Sequence, residues 1–452
     1  MRRPDTLPSL LFADHNGKIL DLPDLEMAGM SNGGFFRLTP DDIIPLPQGS
    51  QLFTLPGRMP IGWDREQNEP VVLEEHPFED GAPIQAVAAF MAPAHTAIYS
   101  AAYRGGDEAP PLPLFAYTAV GWHDGRFWVA GFRSDRDKRQ DADQYRQEQV
   151  EAKTAKKLRQ FPHNRLVQHL GKCCLAYGCP AARNYFLDRW EAPLPTSPSC
   201  NARCLGCISL QASGCCRSTQ ERIAFVPTVE ELCEVAVPHL DHAANPIVSF
   251  GQGCEGEPLL QAEVIAAAIA AMRSRTDKGT INLNSNSSLP DKIALLVSAG
   301  LDSLRVSLNS AQEAYYTRYY RPMHYRFADV LRSIDVMKTN GRFVSLNYFI
   351  QPGFTDSDPE YRALARLLAQ HRPDFLQLRN LNIDPLWYLR QLEVPATLPA
   401  VGVRGWLTRL KSDFPWLRFG YFNPQVPRHH ASATDLAGRK KPKSAPRRKF
   451  GH

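Results

Sequence analysis

Three cysteines, Cys200, Cys204 and Cys207, stand in the stretch PSCNARCLGCI with the spacing C-x3-C-x2-C and no fourth cysteine at a matching distance. Three thiolates on one short loop can hold three irons of a [4Fe–4S] cube and leave the fourth iron open to another ligand. A structural zinc site would want a closed set of four ligands, so the pattern suggests chemistry rather than scaffolding. All ten cysteines of the chain fall between Cys173 and Cys254. Core cysteines placed at random would not gather in this way, and an intracellular chain of this size is not expected to carry a disulfide framework. Metal binding is the better reading.

Further polar residues follow at the ends of apolar runs. VSFGQGCEGEPL contains Gly256, Glu257 and Pro258 just after a short β-branched run. Glycine lets backbone approach closely, and a carboxylate with free carbonyls can receive a positive amino group. Asn284 lies in Asn282-Leu-Asn-Ser-Asn286, and Ser307 and Asn309 alternate with Val306 and Leu308, which puts them on one side of a strand. Asn347, Gln377, Arg379 and Asn382 continue the series. A buried Arg or Asn at a strand end needs a partner; a ligand carboxylate or a neighbouring acidic residue would serve equally.

The elements that must position these groups are legible from the rhythm of the chain. From Ser199 on, β runs alternate with helical segments: residues 247–250, 280–285, 304–309, 343–350 and 375–381 are each followed or preceded by a helix-forming stretch. Thr228 with Glu231 makes a capping box, and Gly300 ends a helix. Repeated βα units imply a parallel sheet with right-handed crossovers. About six units are too few for a closed eight-fold barrel, so an α/β fold with an open, partial (β/α)6 barrel is expected over residues 196–425. Residues 1–135 read as a mainly β domain, with Asp124-Gly125 between two β-branched and aromatic runs as a hairpin signal. Residues 136–195 read as a helical linker with a Cys-rich segment, its charged helix exposed. From Val426 onward eight Lys/Arg against one Asp carry +7, so the body is near −2 within a net charge of +5. That basic stretch, 426–452, is expected to be disordered.

Taken in order, the cysteine loop, Gly256-Glu257-Pro258 about 50 residues later and the polar strand ends resemble the radical S-adenosylmethionine (radical SAM) superfamily over roughly residues 196–425. The resemblance implies that Cys200, Cys204 and Cys207 ligate a [4Fe–4S] cluster whose open iron chelates SAM. Glu257 would orient the SAM ammonium, with Gly256 and Pro258 beside it, and Asn284, Ser307, Asn309 and Arg379 would contact the rest of the cofactor. It further implies reductive cleavage of SAM to a 5′-deoxyadenosyl radical that takes a hydrogen atom from a substrate. A ferredoxin or flavodoxin would be the electron donor. Members often carry an aromatic residue just before the last cysteine; here that position is Gly206.

Cys173, Cys174, Cys179, Cys215 and Cys216 flank the loop. Two readings stay open for them: ligands of a second Fe–S cluster, if the two segments meet in space, or a mixture of core and redox-active thiols. Cys233 reads as core, and Cys254 could face the substrate. Two other functions compete with the radical enzyme. One is an Fe–S protein for electron transfer or redox sensing, which needs no SAM pocket. The other is an RNA-modifying or nucleic-acid-associated protein using the basic tail. No apolar run approaches a membrane span, and the N-terminal apolar patch is broken by Asp14 without a cleavage site. A cytoplasmic protein is expected, and neither substrate nor catalytic residue is assigned.

Overall fold

The computed structural model describes residues 6–105, 109–211, 214 and 216–427. Seven strands form a parallel sheet in sequence order: β1 (Glu191–Pro193), β2 (Ile247–Phe250), β3 (Thr280–Ser285), β4 (Ser303–Leu308), β5 (Phe343–Ile350), β6 (Phe375–Asn380) and β7 (Arg418–Gly420). Every neighbouring pair is parallel. The sheet is the half-barrel expected from the βα rhythm. It has one strand before the cysteine loop and one after the run taken as the last, so Asn382 lies just beyond β6 rather than on a terminal strand. Both outer strands have only three residues, too few for a periodic signal.

The two faces of this sheet differ in chemistry. Val248, Ile281, Leu283, Leu304, Val306, Leu346, Leu376 and Leu378 are buried against the helical layer. Alternation then places Ser249, Asn282, Asn284, Ser303, Arg305, Ser307, Asn347, Gln377 and Arg379 on the opposite, inner face. Register aligns them in rows: Ser249 with Asn282, Asn282 with Ser303, Asn284 with Arg305, and Ser307 with Asn347 and then Gln377. The inner face is thus polar and the outer one apolar.

Among the described residues eleven α-helices cover the sheet's outer face and ends or lead into it, in order α1 (Gln147–Gln160), α2 (Arg165–Leu175), α3 (Pro180–Phe186), α4 (Val229–His242), α5 (Ala262–Arg273), α6 (Pro290–Ala299), α7 (Glu313–Tyr320) and four more. The Thr228–Glu231 capping box forms as expected, and the Glu231 carboxylate also takes the Arg165 guanidinium, tying α4 to α2. The charged stretch before α2 does form a helix, α1, but Val150 and Thr154 are buried in its contact with α2. It is a packed element rather than a free connector.

Thirteen strands between Ser9 and Arg133 make an antiparallel sheet. The expected hairpin joins Val120–His123 to Arg126–Arg133, with Asp124 and Gly125 both at positive φ, the geometry of a type I′ turn. This sheet docks on the C-terminal end of β6 and the turn that follows it. Thr96 Oγ1 donates to Leu378 O, Ala97 N to Asn380 Oδ1, and Asn380 Nδ2 to His95 O. Deeper in the seam, Asp384 accepts from Arg58 Nη2 at 3.0 Å, Leu112 N at 3.1 Å and Trp387 N at 3.0 Å. The tail expected to be disordered lies, from residue 428 on, outside the described residues. No helix among the described residues is long and apolar enough to cross a membrane.

Candidate functional site

The cysteine loop follows β1 and is held from two sides. On one side it pairs with the end of α7 (Glu313–Tyr320): Arg203 N donates to Tyr320 O and Leu205 N to Tyr319 O, each at 3.0 Å, while Met323 N donates to Asn201 O at 2.8 Å. On the other side it is stitched to the loop after β2. Gly256 N donates to Ser197 O at 2.7 Å and Glu257 N to Ser199 O at 2.8 Å. The approach is so close that a Cβ on Gly256 would sit 1.9 Å from Ser199 O. The three-thiol loop and Gly256-Glu257-Pro258 therefore meet directly, at the end where β1 and β2 finish.

Glu257 is buried, and burial pushes its carboxyl up to about 7 against the pull of its hydrogen bonds. It accepts from Ser285 Oγ at 2.6 Å, Asn286 N at 2.9 Å and Leu259 N at 3.0 Å, linking this loop to the end of β3. Asn286 Nδ2 in turn reaches Asn201 Oδ1, one residue past Cys200, at 2.8 Å. Glu255 braces the same loop from behind, taking the backbone N–H groups of Thr196, Ser197 and Gln252; burial raises it to about 7 as well.

Burial, followed by the charge of Glu257, pushes the Cys200 thiol up to about 11; burial, followed by Cys200 and Cys207, holds Cys204 well above the usual thiol range. Three thiolates can sit together in such a pocket only with positive charge among them, which an Fe–S cluster provides. The donor set fits the group. Arg222, not singled out by its place in the sequence, aims Nη2 at Cys207 Sγ at 3.5 Å and Nε at Ser209 Oγ at 3.2 Å. A guanidinium on a ligating sulfur favours the more negative, reduced cluster. Arg222→Ala should lower the cluster's reduction potential, on the order of tens of millivolts, in an EPR-monitored redox titration.

The structure accounts for Gly206. A Cβ there would meet the Tyr319 hydroxyl at 2.7 Å, and Tyr319 is buried. An aromatic ring thus stands beside the last cysteine after all, but it comes from α7. The run EAYYTRYY was the available signal, since Tyr316, Tyr319 and Tyr320 all turn inward behind the loop. Gly206→Phe would put two rings in one space. Overpacking should cost about 1–3 kcal/mol and reduce iron retention; thermal unfolding and iron analysis would read both, and Tyr319→Ala in the same chain should recover part of the loss.

The remaining expected cofactor residues spread along the inner face. Asn284 Oδ1 accepts from Asn282 Nδ2 at 2.8 Å, inside a chain that runs through Ser249 to Glu191. Asn309 donates to Tyr315 O and the Tyr388 hydroxyl, while its buried Oδ1 has no protein partner. Ser307 sits in register with Asn347, whose buried Oδ1 also lacks one. Arg379 lies over the Tyr421 ring at 4.1 Å. Arg305, another residue the sequence did not single out for the site, is lowered to about 10 by burial and then by Arg379, and its Nε has no partner. Two guanidiniums and two buried acceptors without a protein partner share this face, and buried polar atoms of that kind call for a partner.

Of the flanking cysteines, Cys173 meets His169 and Cys254, with all three ligand atoms within 4.8 Å of one another. Cys174 turns away into the helical core against Thr154 Oγ1 at 3.4 Å. Cys179 borders the cluster, its N–H on the Cys173 carbonyl at 3.0 Å. Cys216 is half-buried against the same apolar core as Cys173 and Cys254, and Cys215 lies outside the described residues. Cys254 points to Cys173, and Cys233 is core, as expected.

Residues 194–365 match the family model of the radical SAM superfamily. No curated protein matches the chain. Among solved structures it is similar to a radical SAM methyltransferase from Sphaerobacter thermophilus, at 18% identity and TM-score 0.36, covering 51% of this chain and 67% of that one. It is also similar to methylornithine synthase (PylB), at 14% and 0.34, covering 54% and 76%. A third is the FeFe-hydrogenase maturase HydG from Carboxydothermus hydrogenoformans, at 14% and 0.34, covering 60% and 70%. Over residues 194–365 the chain belongs to the radical SAM superfamily, a family of enzymes that implies a [4Fe–4S] cluster, SAM, an electron donor and a substrate.

Proposed function

We propose that this enzyme binds SAM between the cysteine loop and the inner face of the half-barrel, and cleaves it reductively to draw a hydrogen atom from a substrate held beneath the N-terminal sheet. The observation that carries this reading is the stitching of the three-thiol loop to Gly256 and Glu257 by the Ser197 and Ser199 carbonyls. A pure electron carrier has no use for that junction or for a polar inner face. When bound, the cluster would supply the electron for reductive cleavage of the sulfonium carbon–sulfur bond.

The chain's own residues do the rest. Cys200, Cys204 and Cys207 would hold three irons of the cluster. Glu257, kept in place by Ser285 and Asn286, offers its carboxylate to the methionyl ammonium, and Gly256 keeps the backbone open beside it. Asn284, Ser307, Asn309 and Arg379 line the inner face for ribose and carboxylate groups. The orphan acceptors of Asn309 and Asn347 suit hydroxyl donors, and the Arg305–Arg379 pair suits a carboxylate, SAM's own or the substrate's. The docked N-terminal sheet excludes water from the reacting atoms. A ferredoxin or flavodoxin would deliver the electron in a cytoplasmic setting.

EPR of the dithionite-reduced protein tests the reading. Adding SAM should shift the cluster signal, because the open iron gains a ligand. A spectrum that SAM leaves unchanged would favour the electron-transfer alternative.

A further inference from the structure

We infer that His169, Cys173 and Cys254 form a second metal site that holds one soft divalent ion, zinc being the best match, and that this ion ties α2 to the loop carrying Glu257. His169 and Cys173 are four residues apart on α2, so they share a helix face. Cys254 comes from the loop after β2, three residues before Glu257. His169 Nε2 and Cys173 Sγ are 3.6 Å apart, and the three donor atoms lie within 4.8 Å of one another. Tetrahedral zinc with bonds of about 2.0–2.3 Å separates neighbouring ligands by about 3.5 Å, so the spacing suits a single ion. A cube spreads its thiolates around several irons, and a set this compact does not suit it. Cys173, Cys254 and the neighbouring Cys179 are all free thiols.

The surroundings are those of a structural site with an access route. Cys173 and Cys254 are buried, whereas His169 faces a cavity of about 370 Å³ that Lys172, Tyr177, Glu221 and Arg222 also line. The His169 ring packs edge-on against Phe225. Soft thiolate and imidazole ligands select zinc over calcium or magnesium. The ion would clamp the loop that carries Glu257 to α2.

Metal analysis of the full-length, anaerobically purified protein tests the site. About four irons and about one zinc per chain are expected, with His169→Ala keeping the iron and losing the zinc. Cobalt added to zinc-stripped protein should give tetrahedral d–d bands and a thiolate charge-transfer band in the wild type, and neither in Cys173→Ser/Cys254→Ser. His169 is partly exposed, so its variant reads the site even if the cysteine double does not fold. Iron near four with no zinc and no tetrahedral cobalt would overturn this site alone. About eight irons with matching sulfide would overturn it in favour of a second cluster. Loss of iron with zinc retained would strike the proposed reaction and leave this site standing.

Discussion

Gly256→Ala is expected to yield a chain that cannot keep its cluster. The added methyl would sit 1.9 Å from the Ser199 carbonyl oxygen and 2.5 Å from its carbon. Both are backbone atoms, so no side chain can swing aside. Relief requires the loop after β2 to part from the loop before Cys200, which breaks the bonds from Gly256 N to Ser197 O and from Glu257 N to Ser199 O. Overpacking of this kind costs about 3 kcal/mol or more. Here the cost falls on the junction that brings thiols and carboxylate together. Iron bound after anaerobic reconstitution should fall from about four per chain to below about one, with the far-UV spectrum little changed. Iron content equal to wild type would mean that the two loops are not held as described.

Asp384→Ala should have the largest effect on stability. Asp384 and Arg58 have side chains only 2% and 5% exposed, and they join the N-terminal sheet to the turn after β6. Removing the carboxylate leaves a buried guanidinium unpaired, and it strips the Leu112 and Trp387 N–H groups of their acceptor. The loss should be about 3–5 kcal/mol. An apolar replacement of both partners, Arg58→Met with Asp384→Leu, should cost less than the single change, because no charge is left stranded. Urea denaturation of the three variants reads this. Equal losses for the single and double changes would show that the pair does not hold the seam.

Much of the fold could be read from the chain. Five of the seven barrel strands were visible as β runs, because each is rich in β-branched, aromatic or alternating apolar residues over four to eight positions. The capping box at Thr228 and the turn at Asp124-Gly125 were visible for local reasons as well. The outer strands β1 and β7 were not: three residues paired on one side only have no period to detect. The same division holds at the site. Cys200, Cys204, Cys207 and Gly256-Glu257-Pro258 announce themselves by spacing within one segment. Tyr319 beside Gly206, Arg222 on Cys207, and Cys254 against His169 and Cys173 depend on segments that meet only after folding. Cys173 and Cys174 are neighbours in sequence, yet α2 turns one toward Cys254 and the other into the core.

Product analysis after anaerobic incubation with SAM and dithionite tests the central claim most directly. The wild-type protein should release 5′-deoxyadenosine and methionine in equal amounts, and Cys200→Ala/Cys204→Ala/Cys207→Ala should release neither. A cluster-loaded wild-type protein that leaves SAM intact, or that turns it over without 5′-deoxyadenosine, would contradict it.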